Sequence, residues 1–435
     1  MILLSNIPAD ISTFKIGITL AAFFLTFLLI TTEKLPNAIA AMTGAFLLIV
    51  FHVMNQEEAL AYVDFDTIGL LCGMMLTVAV MRKTGLFEYI AIKGIKLTGG
   101  NPWRILVVLS VVTAVLSAFL DNVTTVLIVV PLTFAVAENI RMNPTPLLIS
   151  EILFSNIGGT ATLIGDPPNI MIGGATSLDF MDFIYNNLPI VLIVSLVTFL
   201  LLRLIYYRKL KKVTIDPSRI MAFDETRTIR DYKFLTKTLV IFGLIMLAFI
   251  THHLHNVNLA SVALGGGFLL MLVTRQDPEE LLHEVEWPTL FFFLGLFVIV
   301  GGLDKTGVIS AVAHRILVLT QGEVALTTQL ILWISSLSTT VINSIPYTAT
   351  MISLIHSMAD QIQGDPESLW WALSLGACFG GNGTIIGAAA NIIVAGFTQK
   401  TKYPLRFSEY FKIGFPLMIV SVILASLYLY FRYSL

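Results

Sequence analysis

Charge is what this chain lacks most. Asp, Glu, Lys and Arg make up 12% of its 435 residues, about half of the roughly 25% usual in soluble domains. That excludes an ordinary soluble domain, and no stretch has the composition of one. The net charge is −2 and there is no basic arm or tail, so no nucleic-acid partner is expected. Cysteine is nearly absent. Cys72 and Cys378 sit in apolar segments and read as free thiols with a packing role, not as a disulfide framework. The opening MILLSNIPADIST lacks the basic n-region and A-x-A site of a cleaved signal. The first span is therefore expected to act as its own insertion signal.

Apolar residues reach 56% and mean hydropathy is +0.85. Apolar runs of about 20 residues recur from end to end, the length that crosses a bilayer. The expected fold class is all-α, a polytopic membrane protein whose partner is the lipid bilayer. Candidate spans are 13–30, 37–53, 67–81 and 183–206, then 239–253, 259–273, 289–303 and 412–431. Residues 84–97 are amphipathic, with Lys83, Lys93 and Lys96 beside Phe87, Ile90 and Ile95, and suit the membrane interface.

One stretch resists a regular helix. Residues 155–169 read SNIGGTATLIGDPPN between apolar runs. Gly158 and Gly159 weaken a helix, and Pro167 and Pro168 lack a backbone donor. Such backbone is tolerated at bilayer depth only when protein or a watery cavity surrounds it. The expectation is a discontinuous transmembrane helix with Asp166 near the N-cap of its second half and Pro167 near N1. A polar loop outside the membrane is the alternative. Upstream, the apolar arms 103–120 and 123–137 meet at Asp121-Asn122. They read as a re-entrant hairpin with a polar tip, or else as two ordinary spans.

The pattern then repeats. Lys83-Thr84-Gly85 matches Lys305-Thr306-Gly307, a shift of 222. The same shift pairs Gly44 with Gly266, Thr67 with Thr289, Gly73 with Gly295, and Gly158-Gly159 with Gly380-Gly381. It also pairs Thr162 with Thr384, Gly165 with Gly387 and Asn169 with Asn391. Apolar bias would align leucines, not these, so the chain contains a duplicated unit. The expected division is repeat 1 over 1–207, a basic linker over 208–235 and repeat 2 over 236–435. The hairpins cover about 103–137 and 325–358, and the broken helices about 147–180 and 369–398. Each repeat has five full crossings, about ten in all, and five is odd, so the copies are inverted. Basic residues gather in 83–104, 203–237, Arg275 and 400–412. The opposite face receives 55–66, 179–182, 252–255, 304–315 and 360–367. The positive-inside rule makes the first face cytoplasmic, with both termini outward. Lys305 and Arg315 are exceptions.

Hairpin tip and helix break should meet near the midplane. The first copy would contribute Asp121, Asn122, Thr124, Thr125, Ser155, Asn156, Gly158, Gly159, Thr160, Thr162, Asp166 and Asn169. The second would contribute Asn343, Ser344, Thr348, Gly380, Gly381, Asn382, Thr384 and Asn391. Carbonyls at helix breaks and Asn, Ser or Thr oxygens suit Na⁺, and half-helix N-termini suit an anion. Asp121 aligns with Asn343 and Asp166 with Ala388. Carboxylates kept in one copy alone mark coupling residues, since an intramembrane acid costs about 2.5–3.5 kcal/mol or more. Pure N-capping is the competing role for Asp166, compatible with coupling. Glu151, aligned with Leu373, reads as a structural hydrogen-bonding group. No Arg or Lys lies inside these elements. His252, His253 and His255 have no Cys or carboxylate at ligand spacing and read as an exposed cluster rather than a metal site.

FLDNVTT followed by SNIGGTATLIGDPPN resembles the ion transporter superfamily. The resemblance is nearest to the branch of the P protein and arsenite efflux permeases. Citrate and dicarboxylate/sodium symporters and bacterial sodium/proton antiporters are further off. It implies a homodimer whose protomers have a scaffold part and a transport part, the latter moving in an elevator-like shift. The dicarboxylate branch has Ser-Asn-Thr at its hairpin tip. Here the tips read Asp121-Asn122-Val123 and Asn343-Ser344-Ile345, and Asp166 stands where that branch has threonine. These differences favour proton or cation coupling. The expected function is a secondary active ion transporter of the cell (inner) membrane, not an enzyme. It would carry a small anion or arsenite, coupled to H⁺ or Na⁺, with no cofactor. Na⁺/H⁺ antiport and a passive anion channel are the alternatives. An intramembrane aspartyl protease is disfavoured, because neither Asp lies in a Tyr-Asp or Gly-x-Gly-Asp sequence.

Overall fold

An apolar chain inside a bilayer must satisfy its own backbone, which helices do within one segment. The computed structural model describes residues 12–32, 35–211, 217–221, 223–255, 257–359, 361–362 and 364–433, and these contain helices and no strand. The N-terminal stretch, Lys212 of the linker and Asp360 fall outside the described residues.

The first half comprises α1 (Thr13–Thr31), α2 (Asn37–Val50), α3 (Gln56–Ala61), α4 (Phe65–Lys83) and α5 (Leu86–Lys96). Then follow α6 (Pro102–Ser117), α7 (Asn122–Asn139), α8 (Thr145–Gly159), α9 (Pro167–Ala175) and α10 (Phe180–Leu210). A short α11 (Pro217–Met221) lies in the linker. The second half runs α12 (Tyr232–Thr251), α13 (Leu259–Thr274), α14 (Pro278–His283), α15 (Trp287–Lys305) and α16 (Val308–Thr320). It ends with α17 (Val324–Thr339), α18 (Ser344–Ala359), α19 (Glu367–Gly380), α20 (Ala389–Gln399) and α21 (Phe407–Tyr433). The shift of 222 governs the backbone as well as the sequence. It carries both ends of α3, α4 and α6 onto both ends of α14, α15 and α17. Gly85 and Gly307 precede α5 and α16 with φ of 71° and 74°, a left-handed turn that favours glycine.

The protein is a polytopic helical membrane protein of two inverted repeats, each with a re-entrant hairpin and a broken helix. The hairpins are α6–α7 and α17–α18. At 16 residues, α6 and α17 reach only about 24 Å, short of a hydrocarbon core about 30 Å thick. The breaks are tighter than the sequence suggested. Helix α8 continues through Gly159, so the first interruption is 160–166, and the second begins with a short turn at Gly381–Gly383. Asn156 remains helical because its amide finds partners across the interface, described below.

The two repeats interlock by exchange. Helix α4 crosses α13 where Gly73 meets the Ala263 backbone, and α15 crosses α2 where Gly295 meets the Ala41 backbone. Lys83 Nζ lies 2.9 Å from Glu280 and Lys305 Nζ lies 2.6 Å from Glu58, again exchanged partners under the same shift. The second pair explains Lys305 on the otherwise acidic face. Its ammonium has a carboxylate neighbour, and its hydrogen bond holds Glu58 below the usual carboxylate range.

The exchange predicts a sharp contrast. Gly73→Leu has no room at the α4–α13 crossing, whereas Gly265, on an exposed part of α13, has nothing within 4 Å. Thermal unfolding in detergent should show Gly73→Leu destabilised by at least about 1–3 kcal/mol, the usual cost of overpacking, with Gly265→Leu near wild type. Equal midpoints for the two would contradict this packing.

Candidate functional site

An interrupted helix leaves carbonyls without intrahelical donors, and these must be met inside the protein. One asparagine does this in each repeat. Asn169 Nδ2 donates to Thr160 O (3.2 Å) and Thr162 O (2.9 Å). Asn391 Nδ2 donates to Gly381 O (2.8 Å) and Thr384 O (2.9 Å). Threonines tie each break to its hairpin: Thr162 Oγ1 donates to Ala118 O at 2.5 Å and Thr384 Oγ1 to Thr340 O at 2.6 Å. A Cβ on Gly158 would overlap the Ala114 backbone, and one on Gly380 the Ser336 backbone. These glycines let the hairpins approach.

A second layer joins the repeats to each other. Asn122 Nδ2 donates to Asn156 Oδ1 (3.2 Å), while Asn156 Nδ2 donates to Asn382 Oδ1 (2.8 Å) and Asn391 Oδ1 (3.2 Å). Asn382 Nδ2 reaches Leu153 O at 3.3 Å, and the buried Tyr410 hydroxyl donates to Asn382 O at 3.0 Å. Ser374 donates to Asn169 Oδ1 at 2.6 Å. A buried amide chain therefore runs from the first hairpin tip to the second break. Such a network specifies one arrangement only when its members are satisfied.

In front of this layer lies a cavity of about 390 Å³. Both hairpin tips line it, through Asp121, Asn122 and Val123 and through Asn343, Ser344 and Ile345. Both second half-helices line it too, at Asp166-Pro167 and at Ala388–Ala390. The starts of α2 and α15 complete it, with Pro36–Ala38, Glu286, Pro288, Thr289 and Phe292. Of the residues expected from the sequence, Asp121, Asn122, Asp166, Asn343 and Ser344 therefore face the cavity. Thr124, Ser155, Asn156, Gly158, Gly159, Thr160, Thr162, Asn169, Gly380, Gly381, Asn382, Thr384 and Asn391 stand behind it as supporting structure. Thr125 and Thr348 are also behind it, their hydroxyls buried without a hydrogen-bond partner.

The acids divide by role. Asp121 caps α7: its Oδ1 accepts from Thr124 N (2.8 Å) and its Oδ2 from Thr124 Oγ1 (2.6 Å). Asp166 occupies the N-cap position of α9 with Pro167 at N1, but its side chain makes no capping bond. The capping role weighed for it is thus not used. Pro167 and Pro168 offer no amide proton to cap, and the carboxylate, 5% exposed, borders the cavity instead. Glu151 is fully buried in α8 and takes a hydrogen bond from the Thr133 hydroxyl, while its Oε2 has no partner. Sequence reasoning missed Glu286, which accepts from Thr289 Oγ1 at 3.0 Å and brings a third acid to the cavity wall. Its signal was the 222 shift, which aligns it with Asp64 and its bond to Thr67. Among the described residues, no Lys or Arg lines the cavity.

The elements related by the shift pack differently. Gly174 of α9 abuts Thr67 and Asp64 of α4, whereas Gly396 of α20, its counterpart, has nothing within 4 Å. The two repeats share one design in two dispositions. The cavity sits at the ends of α2 and α15, beside the Lys83–Glu280 and Arg82–Glu284 pairs.

Comparison with known proteins agrees with this architecture. The family described as "Citrate transporter" matches residues 27–376. The chain is 39% identical over 427 residues to a "46 kDa membrane protein" of Mycobacterium leprae (strain TN), covering 96% of this chain and 98% of that one. It is 39% identical over 425 residues to an "uncharacterized transporter" of Mycobacterium tuberculosis (strain ATCC 25618 / H37Rv), with the same coverage. The Homo sapiens "P protein" is 33% identical over 490 residues, covering 92% of this chain and 58% of that protein. Among solved structures, the Alcanivorax borkumensis YdaH transporter superposes with a TM-score of 0.63 at 13% identity, over 96% of this chain and 99% of that one. That likeness concerns the fold.

The amide chain makes a direct prediction. Asn156→Leu strands Asn382 and Asn391 oxygens and the Asn122 amide, and each buried unpaired group costs about 1–3 kcal/mol. The thermal midpoint in detergent should fall by several degrees. A midpoint at or above wild type would mean that the amides do not hold the breaks together.

Proposed function

The chain belongs to the citrate transporter family and is an integral membrane transporter rather than an enzyme, and we propose that it is a secondary active ion transporter driven by H⁺ or Na⁺ through Asp121 and Asp166. The carrying observation is that acids present in only the first repeat face a cavity walled by both. An acid out of bulk water binds a proton or a metal cation competitively, because either one removes the cost of its charge. That competition links cargo movement to a cation gradient. Loading the carboxylates also lowers the negative field of the cavity, so that an anion or arsenite-type cargo enters next to Asn122, Asn343 and Ser344. Na⁺/H⁺ exchange is the second reading. Three acids in the wall, with no Lys or Arg among its described residues, favour it.

The protein works by alternating access in the cell (inner) membrane as a homodimer. Repeat 1 spans 1–207, the basic linker 208–235 and repeat 2 spans 236–435. The basic face is cytoplasmic by the positive-inside rule, which makes the cavity inward-facing. The unequal packing of Gly174 and Gly396 supports an elevator-like shift of hairpins and broken helices against the other helices. Exchange of the two dispositions would open the opposite face.

Proteoliposomes with imposed pH and Na⁺ gradients provide the test. Asp121→Asn and Asp166→Asn should each lower gradient-driven flux at least tenfold and flatten its pH dependence, without loss of folded protein. Unchanged flux and pH profile in both variants would refute the coupling role. Large conductance independent of any gradient in wild type would instead identify a channel.

A further inference from the structure

On the face opposite the central cavity, three side chains from distant parts of the chain converge. His252 and His253 end α12, and Asp179 precedes α10. One ligand atom from each lies within 4.8 Å of the other two. His253 and His255 are exposed, as the sequence reading of an exposed cluster expected. His252 is half-buried, Asp179 supplies the missing carboxylate, and His255 stays outside the group. We infer that His252 Nε2, His253 Nδ1 and Asp179 Oδ2 form a binding site for a divalent transition-metal ion of the Zn²⁺ class.

Two of the three ligands are already oriented. His252 Nδ1 lies 3.1 Å from the Val257 carbonyl. A carbonyl only accepts, so Nδ1 carries the proton of the neutral ring and Nε2 presents its lone pair. That nitrogen is buried and has no hydrogen-bond partner. Metal-binding histidines are held in this way by their second nitrogen. Asp179 uses Oδ1 to cap α10, accepting from Met181 N (2.8 Å) and Asp182 N (2.9 Å). This leaves Oδ2 free, 3.7 Å from His253 Nδ1. Bonds of 2.0–2.2 Å to a tetrahedral ion would put ligand atoms roughly 3.4 Å apart, a small rotamer adjustment from the observed spacing. Two imidazoles and one carboxylate, with a fourth position open to water, suit Zn²⁺ better than Mg²⁺ or Ca²⁺.

The location gives the site a consequence. It borders a pocket of about 430 Å³ that includes Asp66, Leu70 and Asn258–Ala260. Under the 222 shift these are the partners of Pro288, Phe292 and Pro36–Ala38, which rim the central cavity. The cluster therefore stands at the rim of this second pocket, on the side related to the central cavity by the repeat. Asp179 follows broken helix α9, while the histidines belong to the first helix of repeat 2. A shared ion would tie these two elements together beside that pocket. The shift puts Ile30 and Thr401 opposite His252 and Asp179, so the central cavity has no such clamp.

Zn²⁺ titration calorimetry on the full-length protein in detergent tests the site without any transport assay. One ion per chain is expected, with at least tenfold weaker binding in His253→Ala and in Asp179→Asn, which keeps the capping Oδ1. Metal-free thermal midpoints near wild type confirm that both variants fold. Co²⁺ in the same site should give the visible absorption of four-coordinate cobalt. Absence of stoichiometric Zn²⁺ binding, or equal binding in both variants, overturns the proposal. The clamp, which rests on the transport reading, predicts that external Zn²⁺ inhibits flux in wild type and not in His253→Ala. Inhibition that is absent, or equal in both, rejects the clamp. No flux in wild type without Zn²⁺ points to failure of the transport reading, while calorimetry still decides the site.

Discussion

Everything in this protein depends on keeping two stretches of irregular backbone deep inside an apolar slab. A helix that stops at Gly159 or Gly380 exposes carbonyls to a medium that offers no donors. Asn169 and Asn391 answer this locally, each spending one amide on two carbonyls of its own break. The threonines at 162 and 384 then fasten each break to the neighbouring hairpin. Once these groups are satisfied, the polar residues left over face a cavity. The cavity is the place where the two hairpin tips and the two second half-helices converge.

Duplication explains how such a structure is assembled. The repeats do not fold side by side. They exchange contacts, Gly73 on Ala263 and Gly295 on Ala41, Lys83 with Glu280 and Lys305 with Glu58. Each copy completes the other, so neither is a free-standing unit. The departures from symmetry are where the chemistry lies. Asp121 and Asp166 have neutral counterparts, Gly174 is packed while Gly396 is open, and the Asp179–histidine cluster occurs on one face. The frame is symmetric in sequence, and the side chains that break the symmetry line the two pockets.

Much of this was readable in the sequence, for a physical reason. Glycines forced by close backbone approach and asparagines forced by open carbonyls tolerate little substitution, so the duplicated pattern survives at a constant shift. Hairpins, breaks and the cavity acids Asp121 and Asp166 follow from that pattern. Other features depend on which elements meet in space, and no local period encodes this. Glu286 reaches the cavity because α15 starts at its rim. Asn156 bridges to Asn382 because the breaks face each other. Asp179 meets His252 and His253 because α10 begins where α12 ends. The cavity position of Asp166 was obscured by the frequency with which aspartate caps helices. The N3 amide, that of Asn169, donates to the Asp166 backbone carbonyl instead of its side chain.

The central claim is that both hairpin tips face one cavity open to the basic face. Ser344→Cys on a Cys72→Ala, Cys378→Ala background tests it most directly, in vesicles of known orientation treated with a membrane-impermeant maleimide. The account predicts labelling from the side that carries Lys83 and Arg275. Labelling only from the opposite side, or none until the protein is denatured, would contradict it.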